Sequence, residues 1–123
     1  VAELGFEKDG SYNVEKVTCA VDCGLAVNPD VVKAQMEGGI GFGLSPALLS
    51  EITFSEGKVV ESNFHDYQVV RMTQMPDISV HIVPSSEAPT GVGEPAVPLI
   101  APAVANAIFA ATGKRVRKLP IRL

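Results

Sequence analysis

The sequence predicts an α+β fold of two layers, in which two main helices cover one face of a mixed β-sheet. Three patterns indicate this class. Residues 12–21 alternate apolar and polar side chains, residues 29–49 repeat apolar side chains every three to four positions, and the alanine-rich residues 97–111 are followed by a glycine at 113. The predicted order of strand, helix, hairpin, strand, loop, helix and short terminal strand is typical of an α+β arrangement.

The N-terminal part is predicted to be extended. Residues 3–8 form a short strand, residues 9–11 form a turn, and residues 12–21 form a longer strand. Because residues i and i+4 of a strand lie about 13 Å apart, Cys19 and Cys23 are too distant for a disulfide. We interpret both as buried free thiols.

A helix from Pro29 to about Leu49 comes next, since Asn28 can cap it and proline fits its first turn. Its apolar stripe consists of Val31, Val32, Met36, Ile40, Leu44 and Leu48. Four glycines within residues 38–43 each cost about 1 kcal/mol relative to alanine. Close packing of another helix and close approach of a ligand both remain open as explanations. Gln35, one turn earlier, would present its amide to whatever lies at the glycine face.

The middle of the chain is predicted to contain a β-hairpin and another strand. Residues 51–54 and 58–64 flank a short glycine turn, and residues 78–83 alternate as a strand does. His65, beside Asp66, is a conceivable general base. A hydrogen-bonded structural role for His65 is the interpretation we favour.

The most unusual segment is residues 88–95, with the sequence APTGVGEP, which leads into the alanine-rich helix. Gly91 and Gly93 permit positive φ angles or close approach to a ligand. Glu94 stands beside an almost uncharged helix, and carboxylates are rarely buried without a partner. From the residues alone, Glu94 either caps the helix or pairs with a C-terminal basic side chain, or it belongs to a functional site.

Composition and charge limit the classes of function that the chain can have. The 123 residues are 46% hydrophobic and 20% charged, which predicts one globular domain spanning residues 1–123. A formal net charge of −4 argues against general nucleic-acid binding. No signal peptide or bilayer-spanning segment is visible, and the compartment, cytoplasmic or periplasmic, is left open. The chain begins at Val1 without a methionine, which we interpret as the mark of a fragment or a processed product.

Several segments, in this order, resemble the C-terminal part of the molybdopterin-binding large subunit of the xanthine dehydrogenase/aldehyde oxidase family of molybdenum hydroxylases. Within that family the resemblance is to the isoquinoline 1-oxidoreductase and aldehyde dehydrogenase large subunits. The segments that carry it are Val21-Asp22-Cys23-Gly24, Asn28-Pro29, Gln35-Met36-Glu37-Gly38-Gly39, Gly43-Leu44, Asn63-Phe64-His65-Asp66-Tyr67, Pro89-Thr90-Gly91-Val92-Gly93-Glu94-Pro95 and residues 101–108.

The resemblance implies roles for five residues. Glu94 aligns with the family's active-site glutamate, which acts as a general base on a Mo–OH group. Gln35, Gly91, Val92 and Gly93 are implied to approach the molybdopterin cofactor, which carries a cytosine dinucleotide in bacterial relatives. No residue is implied as a metal ligand.

The resemblance also implies partners. These are the remainder of the large subunit, an iron–sulfur subunit or domain, and a small aldehyde or N-heterocyclic substrate. No four-cysteine cluster pattern occurs in this chain. The 123 residues alone are therefore expected to bind molybdopterin weakly or not at all, to show no turnover, and to form a homo-oligomer through exposed helix faces.

The competing hypothesis is a non-catalytic structural or subunit-interaction module. In the enzymatic interpretation, Glu94 lies exposed at a concave edge near Gln35 and the glycine-rich helix face. In the packing interpretation, its carboxylate accepts hydrogen bonds from backbone N–H groups of residues 97–99 or pairs with a basic side chain.

Overall fold

A computed structural model describes residues 1–123 and contains a mixed sheet, a small hairpin and two long helices. The elements in chain order are β1 (Ala2–Phe6), β2 (Tyr12–Val21), α1 (Pro29–Leu48), β3 (Phe54–Ser55), β4 (Lys58–Val59), a 3-10 turn (Met72–Gln74), β5 (Asp77–Ile82) and α2 (Val97–Thr112). The main sheet has the order β1-β2-β5, with β1 antiparallel and β5 parallel to β2. This mixed sheet with two helices confirms the predicted α+β class.

A β-bulge in β2 allows apolar side chains from both halves of this strand to face the helices. Ala2 pairs with Val17 and Leu4 pairs with Val14, so Glu15 is an extra residue on the longer strand. Side chains alternate between faces along a strand, and the extra residue resets that alternation. As a result Val14 and Val17, three positions apart, are both buried.

The N-terminus of α1 forms as predicted. The side-chain oxygen of Asn28 accepts a hydrogen bond from the N–H of Val31 at 3.2 Å, and Pro29 occupies the first helical position. Most of the predicted apolar stripe of α1 is buried, although Val31 itself is exposed. Its position in the first turn places it beyond the edge of the sheet-facing stripe.

Two glycines of α1 allow α2 to approach closely. A Cβ added to Gly43 would lie 2.6 Å from both Ile100 Cγ2 and the carbonyl oxygen of Val97. A Cβ added to Gly39 would lie 3.1 Å from the Cβ of Ala96. The packing explanation of the glycine-rich segment therefore applies at these two positions.

The core lies between the two helices and the sheet, with α2 against β1 and α1 against β5. Its buried residues are Ala2, Val14, Val17, Met36, Ile40, Leu44, Ala96, Ile100, Val104, Ile108 and Ile121. Gly113 ends α2 in the left-handed conformation, with φ of 73°, as its sequence position predicts. Neither α1 nor α2 combines the length and the apolar composition that crossing a bilayer requires.

Four strand predictions need correction. β5 spans Asp77–Ile82, one residue earlier than predicted at each end. β1 spans Ala2–Phe6, one residue earlier than predicted at its start and two at its end. The hairpin pairs only Phe54–Ser55 with Lys58–Val59, because both strands are exposed and no core face stabilises a longer ladder. The predicted terminal strand is absent, since the N–H of Ile121 donates to the carbonyl of Ala47 at the end of α1 instead of to the sheet.

The cysteines are both free thiols. Cys23 is buried, as predicted, whereas Cys19 is half-buried. Cys19 packs against the core from β2 beside the groove between β2 and α2, which leaves part of its side chain accessible.

Replacing Gly43 with alanine is expected to destabilise the chain by about 1–3 kcal/mol, because the added methyl group meets the backbone of α2 as well as a side chain. Gly38→Ala is the matched control on the same helix. Its methyl group enters open space, so the helix propensity of alanine is expected to stabilise the chain by about 1 kcal/mol. Urea denaturation followed by circular dichroism measures both changes, and equal effects would contradict the packing role of Gly43.

Candidate functional site

One face of α1 and the loop that leads into α2 enclose an open cavity of about 650 Å³. The helix contributes Gln35, Gly38, Gly39 and Phe42. These positions follow the spacing i, i+3, i+4 and i+7, which places them on one helical face. Glu94 and its neighbours line the opposite side. The cavity thus joins two segments that lie more than fifty residues apart in the sequence.

The side chain of Glu94 is exposed at the edge of this cavity. No hydrogen bond or ion pair within the chain involves its carboxylate, and the single ion pair of the chain joins His65 and Asp66. The backbone carbonyl of Glu94 accepts a hydrogen bond from the N–H of Val97 at 2.9 Å. This arrangement is the one that the enzymatic interpretation expects, and the hydrogen bonds or ion pair that the packing interpretation expects are absent.

The predicted cofactor-binding residues separate into two groups. Gln35 and Gly93 line the cavity together with Glu94. Gly91 does not line it, and Val92 is half-buried against the core. The structure therefore brings three of the five predicted site residues together.

The glycines of the loop are not required by backbone conformation. Neither Gly91 nor Gly93 has a positive φ angle, and a Cβ added to either would meet no atom within 4 Å. Of the two explanations offered by the sequence, the one based on positive φ is wrong. Space for close approach from outside the chain is the explanation that remains.

The end of β2 holds this loop in place through main-chain contacts. The N–H of Leu25 donates to the carbonyl of Glu87 at 3.0 Å, and the N–H of Thr90 donates to the carbonyl of Cys23 at 2.9 Å. Gly24 has φ of 68°, and a side chain there would overlap the carbonyl of Ala88. The segment after β2 therefore positions the loop that carries Glu94.

Beyond Gln35, Gly93 and Glu94, the cavity is lined by six residues that the sequence did not assign individually: Gly38, Gly39, Phe42, Pro95, Val97 and Pro98. Gly38 and Phe42 are the two of these on the exposed face of α1. A Cβ added to Gly38 would meet no atom within 4 Å, so packing inside the chain does not explain this glycine. Phe42 is 73% exposed. The signal that identifies both is their spacing from Gln35, at three and seven residues along the same helix.

The largest cavity, of about 840 Å³, shares no lining residue with the Glu94 cavity. Its titratable groups with shifted pKa values are explained by contacts inside the chain. Burial raises the pKa of Tyr12, and the charge of Arg122 opposes that shift. Hydrogen bonds from the side chain and backbone of Ser11 lower the pKa of Asp9. We therefore do not place the candidate functional site in this cavity.

Asp66 organises the loop that also contains His65. Its carboxylate accepts hydrogen bonds from the N–H of Asn63 at 2.9 Å and from the N–H and hydroxyl groups of Ser62. These bonds, with that of Asn63 the largest contribution, lower the pKa of Asp66 to about 2. His65 lies 3.4 Å from this carboxylate and is 74% exposed. His65 does not line the Glu94 cavity, and its hydrogen-bonded structural role stays a prediction, because its exposed ring forms no hydrogen bond within the chain.

Ligand sites in proteins are usually clefts that combine apolar lining with a few placed polar groups, and this cavity carries two polar side chains, Gln35 and Glu94. Residues 6–76 match the family model described as the molybdopterin cofactor-binding domain. The chain belongs to this family of molybdopterin cofactor-binding domains.

Three curated relatives illustrate the similarity. The chain is 45% identical to the beta subunit of isoquinoline 1-oxidoreductase of Brevundimonas diminuta, covering 99% of this chain and 16% of that protein. It is 39% identical to membrane-bound aldehyde dehydrogenase [pyrroloquinoline-quinone] of Gluconacetobacter polyoxogenes, with coverages of 99% and 16%. It is 30% identical to the molybdenum-binding subunit of xanthine dehydrogenase of Escherichia coli O157:H7, with coverages of 88% and 15%. The chain therefore spans only a small part of the length of these relatives.

Solved structures share the fold. Quinoline 2-oxidoreductase from Pseudomonas putida 86 matches with a TM-score of 0.82 and 24% identity, covering 92% of this chain and 16% of that chain. Carbon monoxide dehydrogenase from Oligotropha carboxidovorans matches with a TM-score of 0.76 and 21% identity, covering 88% and 15%. Both confirm the arrangement of two helices on a mixed sheet.

The loop around Asp66 is expected to lose its order only in strong acid. The folded-state pKa of about 2 lies below the ordinary value of 3.8. The ionised carboxylate therefore stabilises the loop above pH 3.8, and this stabilisation is lost as the pH falls through about 2. Amide chemical shifts of Ser62 and Asn63, followed by NMR, are expected to titrate with a midpoint near 2. A midpoint near 3.8, or the same titration in Asp66→Asn, would contradict the assignment.

Proposed function

We propose that this chain forms one wall of the active site of a molybdenum hydroxylase and that Glu94 is its general base. One observation carries the proposal. In a molybdopterin cofactor-binding family member, the carboxylate of Glu94 has no partner within the chain and faces the same cavity as Gln35 and the open glycine face of α1.

The residues at the cavity fit a flat, polar cofactor. Gly38 and Gly93 leave room that any larger residue would fill. The amide of Gln35, which lines the cavity, offers both donors and an acceptor. Gln35 and Gly93 would hold molybdopterin directly, and Gly91 and Val92 would shape the supporting loop. The cytosine dinucleotide form is part of this proposal.

Molybdopterin, when bound, supplies the molybdenum redox chemistry that hydroxylates an electron-poor carbon with oxygen from water. Glu94 contributes by accepting a proton at a carboxylate oxygen. Pro95 fixes the backbone directly after this residue, and the bond from Val97 N–H holds the turn. A positioned general base of this kind contributes about 10²–10⁴-fold to a rate.

The substrate and the partners follow from the wider family. We propose an aldehyde or an N-heteroaromatic compound as substrate, and the remainder of a large subunit and an iron–sulfur subunit or domain as partners. Some apolar side chains are largely exposed, such as Val27 at 83% and Leu99 at 65%. This exposure supports the proposal that another part of a larger protein covers them. The alternative of a non-catalytic module with Glu94 as a cap lacks the hydrogen bond that it requires.

Glu94→Gln in the full-length subunit with its partners is expected to lower hydroxylase turnover by about 10²–10⁴-fold, because the amide cannot accept the proton. Molybdenum content is expected to stay unchanged, since the substitution preserves size. Glu87→Gln, in the same loop but outside the cavity, is the matched control and is expected to keep full activity. Survival of activity in Glu94→Gln would overturn the proposed role.

The 123-residue chain alone is expected to purify without stoichiometric molybdenum and to show no turnover. Its cavity is open to solvent, so most contacts of a cofactor would be missing. Metal analysis by inductively coupled plasma mass spectrometry measures this directly. One molybdenum per chain would contradict the expectation. Homo-oligomer formation by the isolated chain stays a prediction.

A further inference from the structure

The positive charge of the chain is concentrated in the segment that follows α2. Residues 114–122 contain five basic residues and no acidic residue, whereas residues 1–113 contain five basic and fourteen acidic residues. All five basic side chains of the segment line one cavity of about 400 Å³, the basic cavity, which Glu51 also lines. They are Lys114, Arg115, Arg117, Lys118 and Arg122. The basic cavity shares no lining residue with the Glu94 cavity.

The backbone of this segment is fixed to the domain. Val116 packs against the core, and both Pro120 and Ile121 are buried. The N–H of Ile121 donates to the carbonyl of Ala47 at 2.8 Å. The basic side chains therefore project from an ordered backbone, and a partner does not have to order this segment when it binds.

Contacts inside the chain position the basic side chains without neutralising them. The guanidinium carbon of Arg115 lies 3.8 Å from the ring centroid of Phe109. One N–H of Arg122 donates to the carbonyl of Leu48 at 3.2 Å. A guanidinium has five N–H donors, so most of them stay available. None of the five basic residues forms an ion pair with a carboxylate of the chain, and this includes Glu51.

The position of the basic cavity favours the separate carboxylates of a protein segment over a compact phosphate group. The cavity follows the C-terminal end of α2, which is at Thr112. Unpaired carbonyl groups and the negative end of the helix dipole lie at such an end, whereas phosphate sites use helix N-termini. Glu51 adds another negative charge. The fourteen acidic residues elsewhere in the chain oppose the approach of an anionic membrane or a nucleic acid.

We propose that the basic cavity binds an aspartate- and glutamate-rich segment from the remainder of the large subunit. The inference rests on the proposed function, because it takes the chain as part of such a subunit. The chain covers 16% of the beta subunit of isoquinoline 1-oxidoreductase, so most of a subunit of that size lies outside these residues. Arginine binds carboxylates through two parallel charge-assisted hydrogen bonds, which suits this partner.

This docking surface is separate from the candidate active site. Glu94 comes before the first turn of α2, and the basic cavity comes after the last turn. The 16 residues of α2 extend over about 24 Å. One end of α2 therefore carries the candidate site, and the other end attaches the domain to the rest of the subunit.

The test cross-links the full-length subunit, assembled with its partners, with a water-soluble carbodiimide. This reagent joins the amine of a lysine directly to a carboxylate in contact with it, and mass spectrometry of the digested protein identifies both residues. Lys114 and Lys118 report on the basic cavity. Lys58 is the matched control, since it is exposed but lies on β4 outside this cavity.

Lys114 or Lys118 is expected to be joined to an aspartate or glutamate of the large subunit that lies outside residues 1–123. Lys58 is expected to give no cross-link to that segment. The double variant Arg115→Gln, Arg117→Gln is expected to lower the yield of the cross-link by about 3- to 10-fold, because the guanidinium groups hold the carboxylates in place. Arg71→Gln, at an exposed position outside the cavity, is expected to leave the yield unchanged.

Three results would overturn the inference. The first is a cross-link of Lys114 and Lys118 only to the iron–sulfur subunit, only to Glu51, or to no carboxylate. The second is an unchanged yield in the double variant. The third is binding of pyrophosphate, measured by calorimetry, or of phosphatidylglycerol vesicles, measured by sedimentation, that the double variant loses. Failure of the proposed function is distinguishable, because it appears as retained turnover in Glu94→Gln whatever the cross-links show.

Discussion

The close contact between α1 and α2 is the constraint on which the rest of the structure depends. It exists because Gly39 and Gly43 carry no side chains where Ala96, Val97 and Ile100 approach. The contact places the first turn of α2 directly over α1, and the loop before α2 arrives at the same place. The packing of the two helices and the shape of the Glu94 cavity therefore have a common origin, and the same glycine-rich segment serves both.

The sequence predicted the parts whose signals are local. Asn28 and Pro29 predict the start of α1, and Gly113 predicts the end of α2. The alternation of residues 12–21 predicts β2. All three are observed. The hairpin was predicted too long, because alternation alone does not reveal that its faces have nothing to pack against. The bulge at Glu15 was missed, since pairing between strands decides where an extra residue falls.

The candidate site was predictable where local sequence motifs identify its residues. Gln35, Gly93 and Glu94 were identified through their motif, and they meet at one cavity. The roles of Gly38 and Phe42 could be recognised only from the structure. Whether a glycine serves packing or leaves open space depends on residues that are distant in the sequence. Cofactor contact by Val92 stays a prediction, and its partly buried side chain packs against the core.

The loop that carries Glu94 is fixed to the end of β2 by main-chain atoms, through Leu25, Thr90 and the close approach of Gly24 to Ala88. Main-chain bonds form with almost any side chain, so the position of this loop does not depend on the identity of most of its residues. Most side chains of residues 84–90 can therefore be replaced without moving the Glu94 carboxylate, provided that the N–H of Thr90 is kept. Gly24 is the exception, because a side chain at this position would overlap the carbonyl of Ala88 and displace the loop.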